Sequence, residues 1–437
     1  MRPPHGNHAL LRGLAAGVPA GTVGGFVLCA LLLRRGVPFD SSVLLLLVVA
    51  AAGGAGFGLL VRERNPGEAL FFGVAYGALA WWLIPLTLQP LLARHSPAWS
   101  VAAAQGQFAS LLACLLYGAS TGLAYAVLRR RRHDRTAGAL LRGALAGTMV
   151  AMLLHMPGGL VVGPLLGLAQ ALESPQPPRG MGAALIRGQG FGFLTWVAVL
   201  GGAQRWTVEQ ARSTFPALLA YLLLGVAVAL VRQCLDGLAA LLSPERLRTY
   251  PGAGLPGGPV RAALHGAVAG VLGAAAAGLL GTATLVLAHR AETTVAGVSL
   301  LALCGAGAAT GVPYGLLFRR LDRDLQSALG CGLSYGFLCW ALGPLTLLPM
   351  LAEGDLMWAA AEAAGAFGAL VSLLLQCACL GVAFHLLQAP YRSLWAARET
   401  GPDDDDPEPE PEHQPVAASA GLLVTVLLLV LIVLTGA

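Results

Sequence analysis

Two short proline segments hold the residues of this chain best placed to do chemistry. Tyr76, Trp81, Pro85, Thr87 and Pro90 lie within GVAYGALAWWLIPLTLQP (73–90). Tyr335, Trp340, Pro344, Thr346 and Pro349 lie within GLSYGFLCWALGPLTLLP (332–349). A proline inside a helix lacks an N–H and displaces the carbonyl four residues earlier. Pro85 and Pro90 should therefore release the carbonyls of Trp81 and Leu86, and Pro344 and Pro349 those of Trp340 and Leu345. Freed carbonyls at membrane depth are tolerated where they are buried in protein or line a cavity. The segments are thus either kinks used for packing or the wall of a vestibule for a small solute or cation. Thr87 and Thr346 could satisfy some of the carbonyls locally.

Three charges follow the second segment: Glu353, Asp355 and Glu362. They form either an acidic patch at an outer mouth, with Arg94 and His95 elsewhere on the same rim, or separate solvated loop charges. The remaining candidates are weaker. GLSYG (332–336) matches G-x-S-x-G, but that motif needs a strand–turn–helix elbow to expose its serine. Here it falls in an apolar helix, and the matching segment GVAYG carries Ala75 at the serine position, so packing by glycine is the expectation. Met149, Met152, His155 and Met156 cluster on one helix. Thioethers with an imidazole suit Cu(I), but methionine also fills irregular gaps, and packing is favoured. His155, His265 and His385 fall at different depths and do not pair across a haem. The eight cysteines show no zinc-site spacing. No catalytic, cofactor-binding or metal-binding residue is assigned, and no enzyme activity is expected.

These residues sit in an extremely apolar chain. Of 437 residues, 56% are hydrophobic and 11% are charged, against about 25% charged in a soluble chain. Apolar runs recur along nearly the whole length, as in transmembrane helices. A soluble enzyme, a nucleic-acid module and a disordered protein are all disfavoured, and the lipid bilayer is the expected partner. All 27 basic residues are arginine. Seven acids and five prolines fall in 401–415, and the rest of the chain sets 27 arginines against 15 acids. The arginines are scattered rather than clustered, unlike a nucleic-acid patch.

The expected spans are 9–33, 41–62, 68–92, 101–128, 138–157, 158–172, 182–204, 213–234, 260–288, 295–318, 327–351, 358–388 and 416–436. The sixth is short, and Pro157-Gly158-Gly159 precedes it, so the fifth and sixth are either two spans or a re-entrant pair. The segments 73–90 and 332–349 match at eleven of eighteen positions at a constant offset of 259, which indicates duplication. ALLRGLAAG (9–17), ALLRGALAG (139–147) and AALHGAVAG (262–270) align as three helix starts, with GxxxG pairs suited to close packing in lipid. The middle copy is degenerate: GQGFGFLTW (188–196) keeps the glycine, aromatic and tryptophan positions without the proline segment, and FPALLAYLLLG (215–225) matches FASLLACLLYG (108–118) at seven of eleven positions.

The expected fold is therefore all-α. It is a polytopic integral membrane protein of about twelve transmembrane helices in three tandem four-helix repeats, plus one C-terminal transmembrane helix. The units are 1–130, 131–257 and 258–395, followed by an acidic Pro-rich linker (396–415) and a separate anchor (416–437). Copies with an even number of spans keep one orientation and are related by an axis along the membrane normal. The linker segment 401–415 is either a solvated spacer or a site for a basic partner.

The proline segments, read as Tyr76-Gly77, Trp81-Trp82 and Pro85 to Pro90 and again as Tyr335-Gly336, Trp340 and Gly343 to Pro349, resemble the YGxxWWxLGPLTLxPL segment of bacterial polytopic membrane proteins. The resemblance covers the first and third repeats well and the second poorly. It implies a fold and carries no activity.

The expected function is transport or permeation through the repeat bundle, and a scaffold is the alternative from a different class. Transport or permeation of a small solute or ion is favoured by repeats and kinked helices. A non-catalytic membrane scaffold or assembly component is favoured by the scarcity of intramembrane charge, since carriers of charged solutes usually pair such groups. A polar path between the repeats points to the first, and a dry, filled centre to the second.

Arginine placement orients the chain. Twenty-one of the 27 fall on the side of the N-terminus and only six on the other, and positive residues stay cytoplasmic. A cytoplasmic N-terminus in a bacterial inner membrane is expected. Thiol labelling of Ser96→Cys from outside and of Arg131→Cys only after permeabilisation is the predicted pattern; labelling of residue 131 from outside would reverse the orientation.

Overall fold

The computed structural model describes residues 5–34, 41–61, 69–129, 136–153, 159–173, 180–202, 207–241, 258–287, 300–319, 321, 325–352, 354–399 and 416–436. Among these the elements are eighteen α-helices and two π-helical turns, with no strand. Six helical stretches are long and apolar enough to cross a membrane: Ala69–Leu92, Phe108–Leu128, Phe215–Asp236, Pro259–Gly278, Leu325–Ala352 and Phe367–Pro390. Four shorter apolar stretches accompany them. The chain is an all-helical, multi-pass membrane protein.

The helices follow one another in three similar series. The first has α1 (His5–Arg34), α2 (Ser41–Leu60) and α3 (Ala69–Leu83), which runs through a π-helical turn (Ile84–Leu88) into α4 (Gln89–Leu92). A short α5 (Val101–Gly106) then leads, across one residue, into α6 (Phe108–Arg129). The second has α7 (Thr136–Leu153), α8 (Gly159–Glu173) and α9 (Met181–Gly202), then a short α10 (Val208–Ser213) and α11 (Phe215–Leu241). The third has α12 (Gly258–Leu287), α13 (Leu300–Phe318) and α14 (Leu325–Leu342), which continues through a π turn (Gly343–Leu347) into α15 (Leu348–Ala352). A short α16 (Ala360–Gly365) and α17 (Phe367–Glu399) complete it, and α18 (Val416–Thr435) comes last.

The packing recurs with the series. α1 packs on α2, α3 on α6 and α1 on α6; α7 packs on α8, α9 on α11 and α7 on α11; α12 packs on α13, α14 on α17 and α12 on α17. Glycine makes these contacts close. Gly17 and Gly21 of α1 lie against Gly54 of α2, Gly147 of α7 against Gly163 of α8, and Gly270 of α12 against Gly307 of α13. Gly73 faces Gly118 across α3 and α6, Gly188 faces Gly225 across α9 and α11, and Gly332 faces Cys377 across α14 and α17. At each, an added Cβ would collide with the backbone of the facing helix. Lipid tails are as apolar as leucine, so helices associate by such backbone approach and by polar contacts.

The fifth and sixth expected spans resolve into α7 and α8, which pack antiparallel, with Gly143 against Gly167 and Gly147 against Gly163. At 15 residues, α8 is about 22 Å long. Polar side chains add specific ties. The carboxylate of Asp236 on α11 accepts from Arg142 Nε of α7, and Arg232 Nε lies 3.7 Å from its other oxygen. Gln170 Nε2 of α8 donates to the carbonyl of Gly225 at 3.2 Å. Between series, Gln189 of α9 and Ser334 of α14 bond reciprocally: Gln189 Nε2 donates to the Ser334 carbonyl at 3.1 Å, and Ser334 Oγ donates to Gln189 Oε1 at 2.7 Å.

The glycine contacts make a signed prediction. Ala normally stabilises a helix relative to Gly by up to about 1 kcal/mol. Gly118→Ala should nonetheless lower the thermal midpoint of the detergent-solubilised protein, by an overpacking cost of about 1–3 kcal/mol. Gly278→Ala, with nothing within 4 Å of the new Cβ, should leave the midpoint unchanged or raise it. Equal responses would remove close backbone packing as the organising contact.

Candidate functional site

The proline segments shape one end of the bundle. At both, the α-ladder loosens into a π turn, with Pro85 or Pro344 near its start. Thr87 Oγ1 donates to the Trp82 carbonyl at 2.9 Å and Thr346 Oγ1 to the Ala341 carbonyl at 2.7 Å. Each threonine oxygen also accepts from an indole, Trp99 Nε1 at 3.1 Å and Trp358 Nε1 at 3.0 Å. The carbonyls of Leu86 and Leu345, which the second prolines release, accept from the N–H of Ala98 at 2.8 Å and of Met357 at 3.1 Å. The Pro90 carbonyl accepts from His95 N–H and the Pro349 carbonyl from Gly354 N–H. The segment after each kink therefore folds back and pairs the carbonyl that the second proline sets free. Tyr76 Oη donates to the Gly53 carbonyl and Tyr335 Oη to the Thr310 carbonyl, each at 2.9 Å.

The short helices α5, α10 and α16 stand at this same end. Each starts on a cap at the same position. Ser100 Oγ accepts from Ala103 N–H and Thr207 Oγ1 from Gln210 N–H, both at 3.2 Å. At Ala359, which has no side-chain acceptor, Glu362 Oε2 instead accepts from the Ala359 N–H at 2.8 Å. These are the ordinary N-terminal solutions for unpaired amide donors. Each short helix is then tied to the third helix of its series by a buried indole. Trp81 Nε1 donates to the Gln107 carbonyl at 3.0 Å, Trp196 Nε1 to the Thr214 carbonyl at 3.3 Å, and Trp340 Nε1 to the Ala366 carbonyl at 3.0 Å. All three acceptors are the single residue between a short helix and the long one after it.

Among these elements sits α18. It packs on α3 and α5, on α9 and α10, and on α14 and α16, the same pair of elements from each series. Leu423, Val424, Val426, Leu427, Val430 and Leu431 are buried in the core that contains Trp81, Trp196 and Trp340. A segment expected as an anchor apart from the other helices is thus enclosed by them. Its last turn is held by side chains from two short helices. Gln105 Nε2 donates to the Val433 carbonyl at 3.0 Å, and Arg212 Nε donates to the Leu434 carbonyl. The last carbonyls of a helix lack internal partners, and a cation there also faces the negative end of its dipole. Ala364 occupies the corresponding position of α16, and its methyl side chain cannot donate.

The expected site residues are therefore placed as follows. Trp81 and Trp340 are buried; Pro85, Thr87, Pro90, Pro344 and Thr346 are half-buried, and Pro349 is buried. Glu362 caps its own helix, Asp355 is exposed, and Glu353 lies outside the described residues. Arg94 and His95 are exposed, Arg94 at a φ of 60°. Met149 and Met152 are exposed, while His155 and Met156 lie outside the described residues. Ser334 of the G-x-S-x-G match is helical, buried and bonded to Gln189.

Sequence reasoning did not find Gln105, Arg212, the Gln189–Ser334 pair or the central position of α18. The alignment of 108–118 with 215–225 already sets Gln105 opposite Arg212, and carrying it three residues upstream reveals that both short helices offer a donor. No family model matches the chain, and no curated protein or solved structure is significantly similar to it.

Hydrogen bonds from charged donors contribute about 1.5–3 kcal/mol. Arg212→Ala should cost about that much in stability, and Gln105→Ala about 1 kcal/mol. Ala364→Gln, which leaves both existing donors in place, should cost less than either. Unfolding midpoints in detergent measure the three, and a neutral Arg212→Ala would show that the end of α18 is not held there.

Proposed function

We propose that the chain is a non-catalytic membrane scaffold or assembly component, built as three tandem four-helix units of twelve spans around a thirteenth. The observation that carries this reading is the filled centre. The helix touching all three series, α18, is uncharged along Val416–Thr435 and buries leucine and valine side chains in the core. A solute path needs polar groups or water where α18 stands. The carbonyls of Leu86 and Leu345 are occupied by Ala98 and Met357, which weakens the cation vestibule that the proline segments suggested.

The tandem-unit reading is supported by the three recurring helix pairings, by the three indole bonds at matching junctions and by the three N-caps at matching positions. On this reading the copies share one orientation and their axis runs along the membrane normal. Arginine bias puts the N-terminus in the cytoplasm of a bacterial cell and the short helices at the outer face. The acidic segment 401–415 is then cytoplasmic, where its seven acids suit a basic partner.

Flux separates this reading from transport. Proteoliposomes holding the purified parent should pass ions and small neutral solutes no faster than empty vesicles. Flux above that background that falls in Glu353→Gln/Asp355→Asn would replace the scaffold with a permeation protein whose outer acids gather a cation.

A further inference from the structure

The middle series carries charge where the other two carry rings. Extending the match of 108–118 with 215–225 along α6 and α11 sets Arg232 at the place of Tyr125, and the offset of 259 sets Phe384 there in α17. Tyr125 packs edge-on against Phe57, and Phe384 against Tyr314. Aromatic packing closes this level in two series, so the fold does not require ions there. One turn further on, Arg129, Asp236 and Gln388 match, and only the middle series has an acid. An ionisable group in a spanning helix is costly and marks a functional position by default.

The cluster is open on one side. The side chains of Asp236 and Arg232 are 4% and 5% exposed, whereas that of Arg142 is 21% exposed. The carboxylate accepts from Arg142 Nε and is backed by Arg232 Nε at 3.7 Å. The two Nη groups of Arg142 make no bond to a described residue. A guanidinium anchored through Nε keeps a planar pair of donors suited to the oxygens of a phosphate.

The surface that continues from Arg142 is apolar. Leu145, Met149 and Met152 follow it along one side of α7, and all three are exposed. From Arg142 to Met152 is about 15 Å, the depth of one leaflet in a hydrocarbon core of about 30 Å. Asp236 lies about 31 Å along α11 from Phe215, which follows the short helix α10. The cluster therefore belongs to the leaflet opposite the short helices, which arginine bias makes the cytoplasmic one. Basic pockets between spanning helices on that side suit anionic headgroups.

We propose that the second series holds an anionic phospholipid of that leaflet, its headgroup phosphate on the Nη pair of Arg142 and an acyl chain along Leu145, Met149 and Met152. Asp236 and Arg232 are positioning residues that fix the guanidinium at the edge of the bundle. Charge selects the lipid class, because a zwitterionic headgroup brings a cation against two arginines. This site goes beyond the scaffold reading and does not depend on whether the chain passes a solute.

The full-length protein, purified in detergent, is mixed with phosphatidylglycerol or with phosphatidylcholine of identical chains, and bound lipid is counted by native mass spectrometry. The parent should retain one phosphatidylglycerol with a preference of about ten-fold, the scale of one charge-assisted hydrogen bond. Arg142→Met should abolish that preference. Asp236→Asn breaks the same ion pair but leaves the guanidinium, and should keep it, which separates loss of the site from loss of the fold. Excess inorganic phosphate should not displace the lipid. No preference in the parent, a preference that survives Arg142→Met, or equal loss in both variants overturns the site. Displacement by phosphate overturns the lipid and assigns the arginine to a soluble anion.

Discussion

A backbone group that loses its helical partner inside a membrane has no water to turn to, and each one left unpaired costs several kcal/mol. That constraint organises the end of this molecule where the sequence departs from regular helix. The second proline of each segment frees a carbonyl, Leu86 or Leu345, and the chain beyond it returns to pair that group through Ala98 or Met357. The break between each short helix and the next long one exposes a carbonyl, and a tryptophan from the neighbouring helix meets it. The last turn of α18 exposes more, and Gln105 and Arg212 meet those. Polar side chains here serve the backbone first.

The opposite requirement governs the flat stretches between. There the ladder is intact, so what remains is to bring helices close enough for dispersion to hold them. Glycine does this in all three series, and at pairs such as Gly73 with Gly118, Gly188 with Gly225 and Gly270 with Gly307 the facing atoms are backbone. The few polar contacts between series, such as Gln189 with Ser334, add register to an association that dispersion alone leaves free to slide.

Much of this was legible in the residues. Apolar runs of membrane length give an all-helical multi-pass chain, and the prolines mark where the α-ladder changes. What a proline cannot reveal is the partner its freed carbonyl will find, because that depends on how the chain beyond it turns. Glu362 looked like part of a charged rim, since a solvated acid and a capping acid have the same composition and differ only in whether an amide lies within reach. The position of α18 was illegible for a different reason. A helix that is apolar all round has no polar face to point away from the core, so periodicity treats a lipid-facing anchor and a central helix alike. Met149 and Met152 illustrate the same limit from the other side, being apolar and exposed.

The central place of α18 also sets an order of manufacture. It follows every helix that surrounds it in the chain, so α3, α9 and α14 leave the ribosome before the helix they enclose. During that interval the apolar surfaces that will hold it face lipid or one another. The centre of the bundle is thus the last part to be supplied.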